Sequence, residues 1–258
     1  MRAEIGIIGG TGLYSMLEVD DEFDVETKYG DPSSPITLGK IGGKDVAFLA
    51  RHGKNHTLAP HKVPYRANIE ALAGLGITRI LTTNAVGSLK LNYKPGDFVF
   101  IDQFVNMTHG RADTFFDEEK VVHTGMADPY CNEMRSIAIG EAVSSKLDYH
   151  DKGTVVVVNG PRFSTRSESK FFANQGFDII NMTQYPEAAL AHEKGICYMG
   201  IGIITDYDVG LEGNPSVKPV TFDEVQKVFS GNIEKIKLLL NSTIPKISAT
   251  RNCSCANV

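Results

Sequence analysis

Apolar residues recur with two different periods along this chain of 258 residues. Short runs rich in branched and apolar side chains predict buried strands over Ile5–Ile8, Ile36–Ile41, Val46–Ala50, Arg79–Thr83, Phe98–Ile101, Thr154–Val158, Asp178–Asn181 and Cys197–Ile204. Helical spacing appears between them. Tyr65, Ile69, Leu72 and Leu75 share one helix face, and Gly76 supplies a stop. Thr165 and Glu168 have capping-box spacing for a helix through Phe172, and Glu187–Lys194 predicts another helix. Thr221 and Glu224 repeat the capping pattern before a helix expected to bury Val225, Phe229, Ile233, Ile236 and Leu240. Gly42-Gly43 predicts a hairpin, and "KPGD" (Lys94–Asp97) a turn.

Strands alternating with helices define an α/β chain: a single domain over residues 1–258, with a central mixed, mostly parallel β-sheet flanked by helices and a tail from about residue 246. Such sheets bind ligands beyond the carboxyl ends of their strands. Four segments follow predicted strands and are read as loops converging on one site: Gly9–Tyr14, Thr83–Ser88, Asn159–Thr165 and Thr205–Asp208.

Composition narrows the classes. With 42% hydrophobic and 22% charged residues, the chain can build a core without disulfides or structural metal. A net charge of -5 disfavours nucleic acid as a partner, because phosphate neutralisation needs clustered Lys and Arg. No apolar run reaches membrane-spanning length, so no membrane partner is expected, and without a signal-like N-terminus the expected location is cytoplasmic. Of the four cysteines, Cys131 and Cys197 read as buried thiols.

"GIIGGTG" (Gly6–Gly12) is a glycine turn behind a strand. It fits the dinucleotide fingerprint poorly: the crossover helix after it would be short, and the acid at the right distance, Asp31, lies in a turn. No P-loop pattern exists. The turn either lets the chain pass or cradles a small anion. "ARHGKNH" (Ala50–His56) also follows a strand, and Arg51 suits bidentate contact with phosphate oxygens. With Thr11 and Thr183, such loops could bind a dianion.

These segments, with "PHKVPYRANI", "NAVGSL", "KPGDFVFIDQF", "MADPYC", "GPRFSTRSES", "NMTQYPEAALAHEKGICY" and "TDYD", together resemble the trimeric purine nucleoside phosphorylase family, and within it the branch that cleaves 5′-methylthioadenosine. The resemblance covers nearly the whole chain. It implies a pentosyltransferase in which inorganic phosphate is the co-substrate and attacks the anomeric carbon, with no metal and no organic cofactor. It implies a phosphate site of Thr11, Arg51, His52, Ala85 (through its backbone) and Thr183. Phe163 and Met182 would pack on base and ribose, and Ser164, Asp206 and Asp208 would face the purine. His123 would reach a neighbouring subunit's 5′ pocket in a homotrimer or a hexamer of two trimers. Asn84 stands where animal members carry threonine, and an amide could donate there instead.

Glycosidic cleavage puts positive charge on the ribose and negative charge on the base. Phosphate answers the first, and a carboxyl of raised pKa near purine N7 answers the second. Asp206 is the expected acid. Two aspartates flanking Tyr207 favour a 6-aminopurine, whose amino group donates, over a 6-oxopurine, whose oxygen accepts. Val209, Leu211 and the final helix would shield a methylthio group. The alternative within the family is a 6-oxopurine nucleoside or 5′-methylthioinosine phosphorylase. Gln184-Tyr185 stands where smaller or apolar residues are expected and could alter hydrogen bonding at Thr183. A nicotinamide-dependent oxidoreductase and a non-catalytic nucleoside binder are the readings from other classes. "CSC" (Cys253–Cys255) ends the chain either as free thiols on a frayed terminus or, as similar endings in heat-stable relatives suggest, as a disulfide or redox element.

Overall fold

The longest buried strands organise the molecule. In a computed structural model, residues 3–10, 12–13, 18–118, 121–211 and 217–256 are described. In chain order the strands are β1 (Ile5–Gly9), β2 (Glu18–Phe23), β3 (Ile36–Ile41), β4 (Lys44–Ala50), β5 (Arg79–Ser88), β6 (Phe98–Phe100), β7 (Gln103–Met107), β8 (Tyr149–His150), β9 (Thr154–Val158), β10 (Ile179–Asn181) and β11 (Cys197–Tyr207). The helices are α1 (Tyr65–Gly74), α2 (Asn132–Ser144), α3 (Arg166–Asn174), α4 (Gln184–Glu193), α5 (Phe222–Gly231) and α6 (Ile233–Thr243).

β5 is the centre of the sheet. β1 and β11 run parallel to it on opposite edges, so its apolar residues are buried on both faces. Beyond β1 come β4, β3 and β2. The β3–β4 hairpin turns at Gly42 and Gly43, whose φ of 55° and 81° satisfy a two-residue turn that bulkier residues resist. β1 pairs with β5 as far as Thr82, and β10 then takes the same edge, antiparallel, at Gly87 and Ser88. β10 continues to β9 and β7, while β11 continues to β6 and β8. The sheet thus forks at β5. Among the described residues, Thr83–Val86 have no strand partner on the forked edge.

The fold class is as expected, and four local expectations are corrected. Thr83–Ser88 and most of Thr205–Asp208 are strand, not loop: β5 and β11 pair with each other as far as Ser88 and Tyr207, which overrides their polar composition. α3 has its reciprocal box, with Glu168 N donating to Thr165 Oγ1 (3.2 Å) and Thr165 N donating to Glu168 Oε2 (2.8 Å). At Thr221 the box is only half formed. Thr221 Oγ1 accepts from Glu224 N but itself donates to the Glu224 carboxylate. The expected last helix is two, divided at Asn232, whose side chain bonds back to Val228 O (2.9 Å). Ile236 and Leu240 are buried, whereas Val225, Phe229 and Ile233 are only half-buried. The tail is not frayed through residue 256: Ile247 and Cys255 are buried against the body.

Candidate active site

The fork leaves a gap that one side chain fills. β4 ends at Ala50, and Arg51 N is held by Gly9 O (3.1 Å) at the end of β1. The Arg51 guanidinium turns inward, with Nε and one Nη each 2.7 Å from the two oxygens of Glu187. Its other nitrogen donates to Thr83 O (3.1 Å), on the unpartnered stretch of β5. Tyr198 Oη donates to the same carboxylate at 2.7 Å. Burial opposes the Arg51 charge, but the Glu187 carboxylate beside it holds the guanidinium pKa above its usual value. The fork of Arg51 therefore grips Glu187 and is not open for a bidentate anion contact. Nη2, which grips Glu187, also reaches Ile8 O at 3.5 Å, so of the five guanidinium hydrogens one is left, on the nitrogen that faces Thr83.

A second buried network adjoins it. Asn84 Nδ2 donates to Thr183 Oγ1 (2.9 Å), which lies at the N-terminus of α4. Asn84 Oδ1 accepts from Gln184 Nε2 (2.7 Å), and Gln184 Oε1 accepts from Tyr130 Oη (2.8 Å). Gln184 is thus a core residue that orients Asn84. The amide at residue 84 engages Gln184 through its oxygen and Thr183 through its nitrogen, which keeps a second hydrogen. Gln184 also needs the space of Gly200, where a Cβ would lie 2.6 Å from its Oε1.

His52 sits beside Arg51. Its Nδ1 is 2.8 Å from Leu58 O, which only an N–H can satisfy, so Nε2 is the acceptor of the neutral ring. Burial, helped by the Arg51 charge, pulls its pKa down to about 4. His56 stacks on His52 with centroids 4.5 Å apart.

The acid pair ends β11. A register shift between Ile204 and Asp206 inserts Thr205, as a bulge that re-aims the residues after it. Thr205 Oγ1 donates to Asp206 Oδ2 at 2.8 Å. Burial raises the Asp206 pKa to about 7; the Thr205 hydroxyl opposes the rise and the neighbouring Asp208 charge adds to it. Asp208 is buried, and its Oδ2 has no hydrogen-bond partner among the described residues. Burial raises its pKa too, against the pull of the Ser169 and Ser164 hydroxyls. Gly87 makes room for this pair: a Cβ there would lie 3.1 Å from Asp206 Oδ1 and 3.5 Å from Asp208 Cβ.

Of the remaining expected residues, Ala85, Met182 and Ser164 fall around this end of the sheet. Ala85 lies on the open stretch of β5 and is half-buried. Met182 follows β10, with its sulfur 2.5 Å from where a Cβ on Gly160 would stand. Phe163 is exposed and Ser164 half-buried, just before α3. His123 is exposed in an irregular segment and joins none of these networks among the described residues. Thr11 lies outside the described residues. Sequence reasoning missed Arg111, which ties the site's loops together. It donates to Asn159 O (3.0 Å), Met182 O (2.9 Å) and Tyr185 O, and lies over the Tyr65 ring. An arginine bound to carbonyls has no spacing signature, so no sequence signal marked it.

The phosphorylase superfamily model matches residues 4–245, and the chain belongs to that superfamily. Among its relatives, the S-methyl-5′-thioadenosine phosphorylase of Pyrococcus horikoshii is 51% identical over 255 residues, covering 99% of this chain and 97% of that one. The protein of the same name from Nitrosopumilus maritimus is 47% identical over 255 residues, covering 98% and 95%. Methylthioadenosine phosphorylase from Schistosoma mansoni, solved in complex with adenine, superposes with a TM-score of 0.91 at 36% identity, over 97% of this chain and 93% of that one. The family resemblance read from the sequence is therefore correct.

Proposed function

We propose that this enzyme cleaves the N-glycosidic bond of 5′-methylthioadenosine with inorganic phosphate, giving adenine and 5-methylthioribose 1-phosphate. The observation that carries the reading is the Asp206–Asp208 pair at the end of β11, with Asp208 buried, Asp206 half-buried and desolvation raising the Asp206 pKa to about 7. A protonated Asp206 can donate to purine N7 as the bond breaks, and an ionised neighbour can accept from a 6-amino group. The names of the relatives agree with this choice of substrate.

Phosphate would enter the fork, against the remaining Arg51 hydrogen, Thr183, the Ala85 backbone, His52 and Thr11. A neutral His52 offers Nε2 as an acceptor, which suits the proton carried by hydrogen phosphate. Asn84, Phe163, Ser164 and Met182 would hold the nucleoside. No metal or organic cofactor has a step in this chemistry. The exposed His123 suits a homotrimer or a dimer of trimers, in which it would complete a neighbour's 5′ pocket. No described helix is long and apolar enough to cross a membrane, and we place the reaction in the cytoplasm, serving purine and methionine salvage.

Product chromatography tests the reading, with methylthioadenosine, adenosine, inosine and methylthioinosine each supplied with and without phosphate. Phosphate-dependent release of adenine, fastest from methylthioadenosine, is expected. Preferential release of hypoxanthine would replace it with the 6-oxopurine alternative, and release independent of phosphate would remove phosphorolysis. Gly87→Ala should lower kcat/KM for the nucleoside about tenfold, with a smaller change in the phosphate KM. Its Cβ would press on Asp206 Oδ1 at 3.1 Å and Ile180 Cγ2 at 3.0 Å, a strain worth about 1–3 kcal/mol. Unchanged nucleoside kinetics in that variant would detach the acid pair from purine binding.

A further inference from the structure

The opposite end of the same sheet gathers all four cysteines. Cys197 opens β11, and Cys131 precedes α2, where its N–H donates to Tyr198 O (2.8 Å). The tail brings the other two. Arg79 reaches Thr250 O (2.9 Å), Arg251 reaches Gly195 O (2.7 Å), and Asn252 N donates to Glu133 Oε2 (3.1 Å). These bonds deliver Cys253 and Cys255 onto Cys131 and Cys197. The four sulfurs all lie within 4.8 Å of one another, and Cys197 and Cys253 approach to 3.3 Å as free thiols.

We propose that Cys131, Cys197, Cys253 and Cys255 form a structural tetrathiolate site for zinc that fastens the tail to the domain. A tetrahedral ion with sulfur at about 2.3 Å spaces its ligands about 3.8 Å apart, which this cluster meets with small adjustments. Thiolates select a soft or borderline ion and reject magnesium or calcium. Four protein ligands close the coordination sphere, so the site is structural and leaves no position for a substrate. Loading releases the four thiol protons and leaves a net negative complex. The buried Arg79 guanidinium, 3.9 Å from Cys197 Sγ, offsets part of that charge. A surface recess lined by Asp128, Glu133, His192 and Cys253 gives a cation its way in. Pairing the same sulfurs into two disulfides is the competing use of the cluster.

The full chain, purified with reductant and without chelator, is assayed for metal by mass spectrometry and for thiols by alkylation. About one zinc per chain is expected, with all four thiols protected until a chelator removes the metal. Cobalt in its place should give the intense visible bands of a tetrahedral cobalt thiolate. Cys253→Ser/Cys255→Ser should lose the zinc and the cobalt bands, and its unfolding midpoint should no longer respond to chelator. Those two residues are in the tail, so the variant keeps the domain core. The proposal fails if the fully reduced chain, supplied with zinc, binds well below one equivalent or leaves its thiols reactive. It also fails if the tail variant keeps its zinc, or if the isolated protein carries two disulfides and takes up no zinc after their reduction.

Discussion

Asp206→Asn is expected to lower kcat by about 10²–10⁴-fold, the usual contribution of a positioned general acid, while leaving the phosphate KM nearly unchanged. The amide keeps the shape and can still accept from Thr205 Oγ1, but it has no proton to give to the departing base. In the unaltered enzyme the same role makes kcat fall as pH rises through about 7, where Asp206 ionises. The substitution should move stability the other way. Between 3.8 and about 7 the unfolded chain has lost this proton while the folded chain retains it, so folding stability drops with pH across that window. Above it, the full cost of a buried carboxylate is present, on the order of 2–4 kcal/mol. The amide has no such cost. The variant should match the parent near pH 4 and exceed it increasingly up to about pH 7, a trade of stability for function. Kinetics and denaturant unfolding on the same two proteins check both halves. A kcat within a few-fold of the parent would move the acid to Asp208. A stability difference flat in pH would mean that Asp206 is not desolvated in the free enzyme.

The order of strands and helices was legible because burial imposes periods of 2 and 3.6 on local sequence. The α3 cap and the Gly42-Gly43 turn were legible because each is closed by neighbours in sequence. Asn84 and Ser88 read as loop because polar residues mark loops, while here parallel pairing with β11 holds them in a central strand. The acid pair could be read from "TDYD", since its chemistry follows from residue type, but the bulge that aims it could not. The partners of Arg51 were least accessible. Glu187 is 136 residues away, and nothing in the local pattern around either residue announces the other. Read alone, Glu187 was the start of a helix. Likewise Gln184 stands out in the sequence, yet its bonds to Asn84 and Tyr130 span 100 and 54 residues. The cysteines stand far apart in sequence, and only the tail's hydrogen bonds to Arg79, Gly195 and Glu133 bring them together.

Glu187→Ala should be the most destabilising single change in the site, by about 3–5 kcal/mol. It leaves the Arg51 guanidinium in a dry fork without its counter-charge, and breaking a buried pair from one side costs far more than the pair contributes. Arg51 is 3% exposed, so water cannot replace the carboxylate without opening the junction of β1, β4 and β5. Tyr198 Oη loses its acceptor in the same change. If the cost arises from the stranded charge, Arg51→Met added to Glu187→Ala should restore a substantial part of the stability, because the cycle then compares an ion pair with an apolar pair. Function should separate from stability in the same pair of proteins. Under conditions where the single variant is folded, the guanidinium is freed from its bidentate grip and its direction is lost, so the phosphate KM should rise at least tenfold. The double variant, though better folded, should be no better at binding phosphate. Denaturant unfolding of the four members of the cycle, with phosphate titrations on each, tests this. A loss below about 1 kcal/mol for Glu187→Ala would mean that the fork admits solvent. Recovery of phosphate affinity in the double variant would show that Arg51 supports the fork but does not contact the anion.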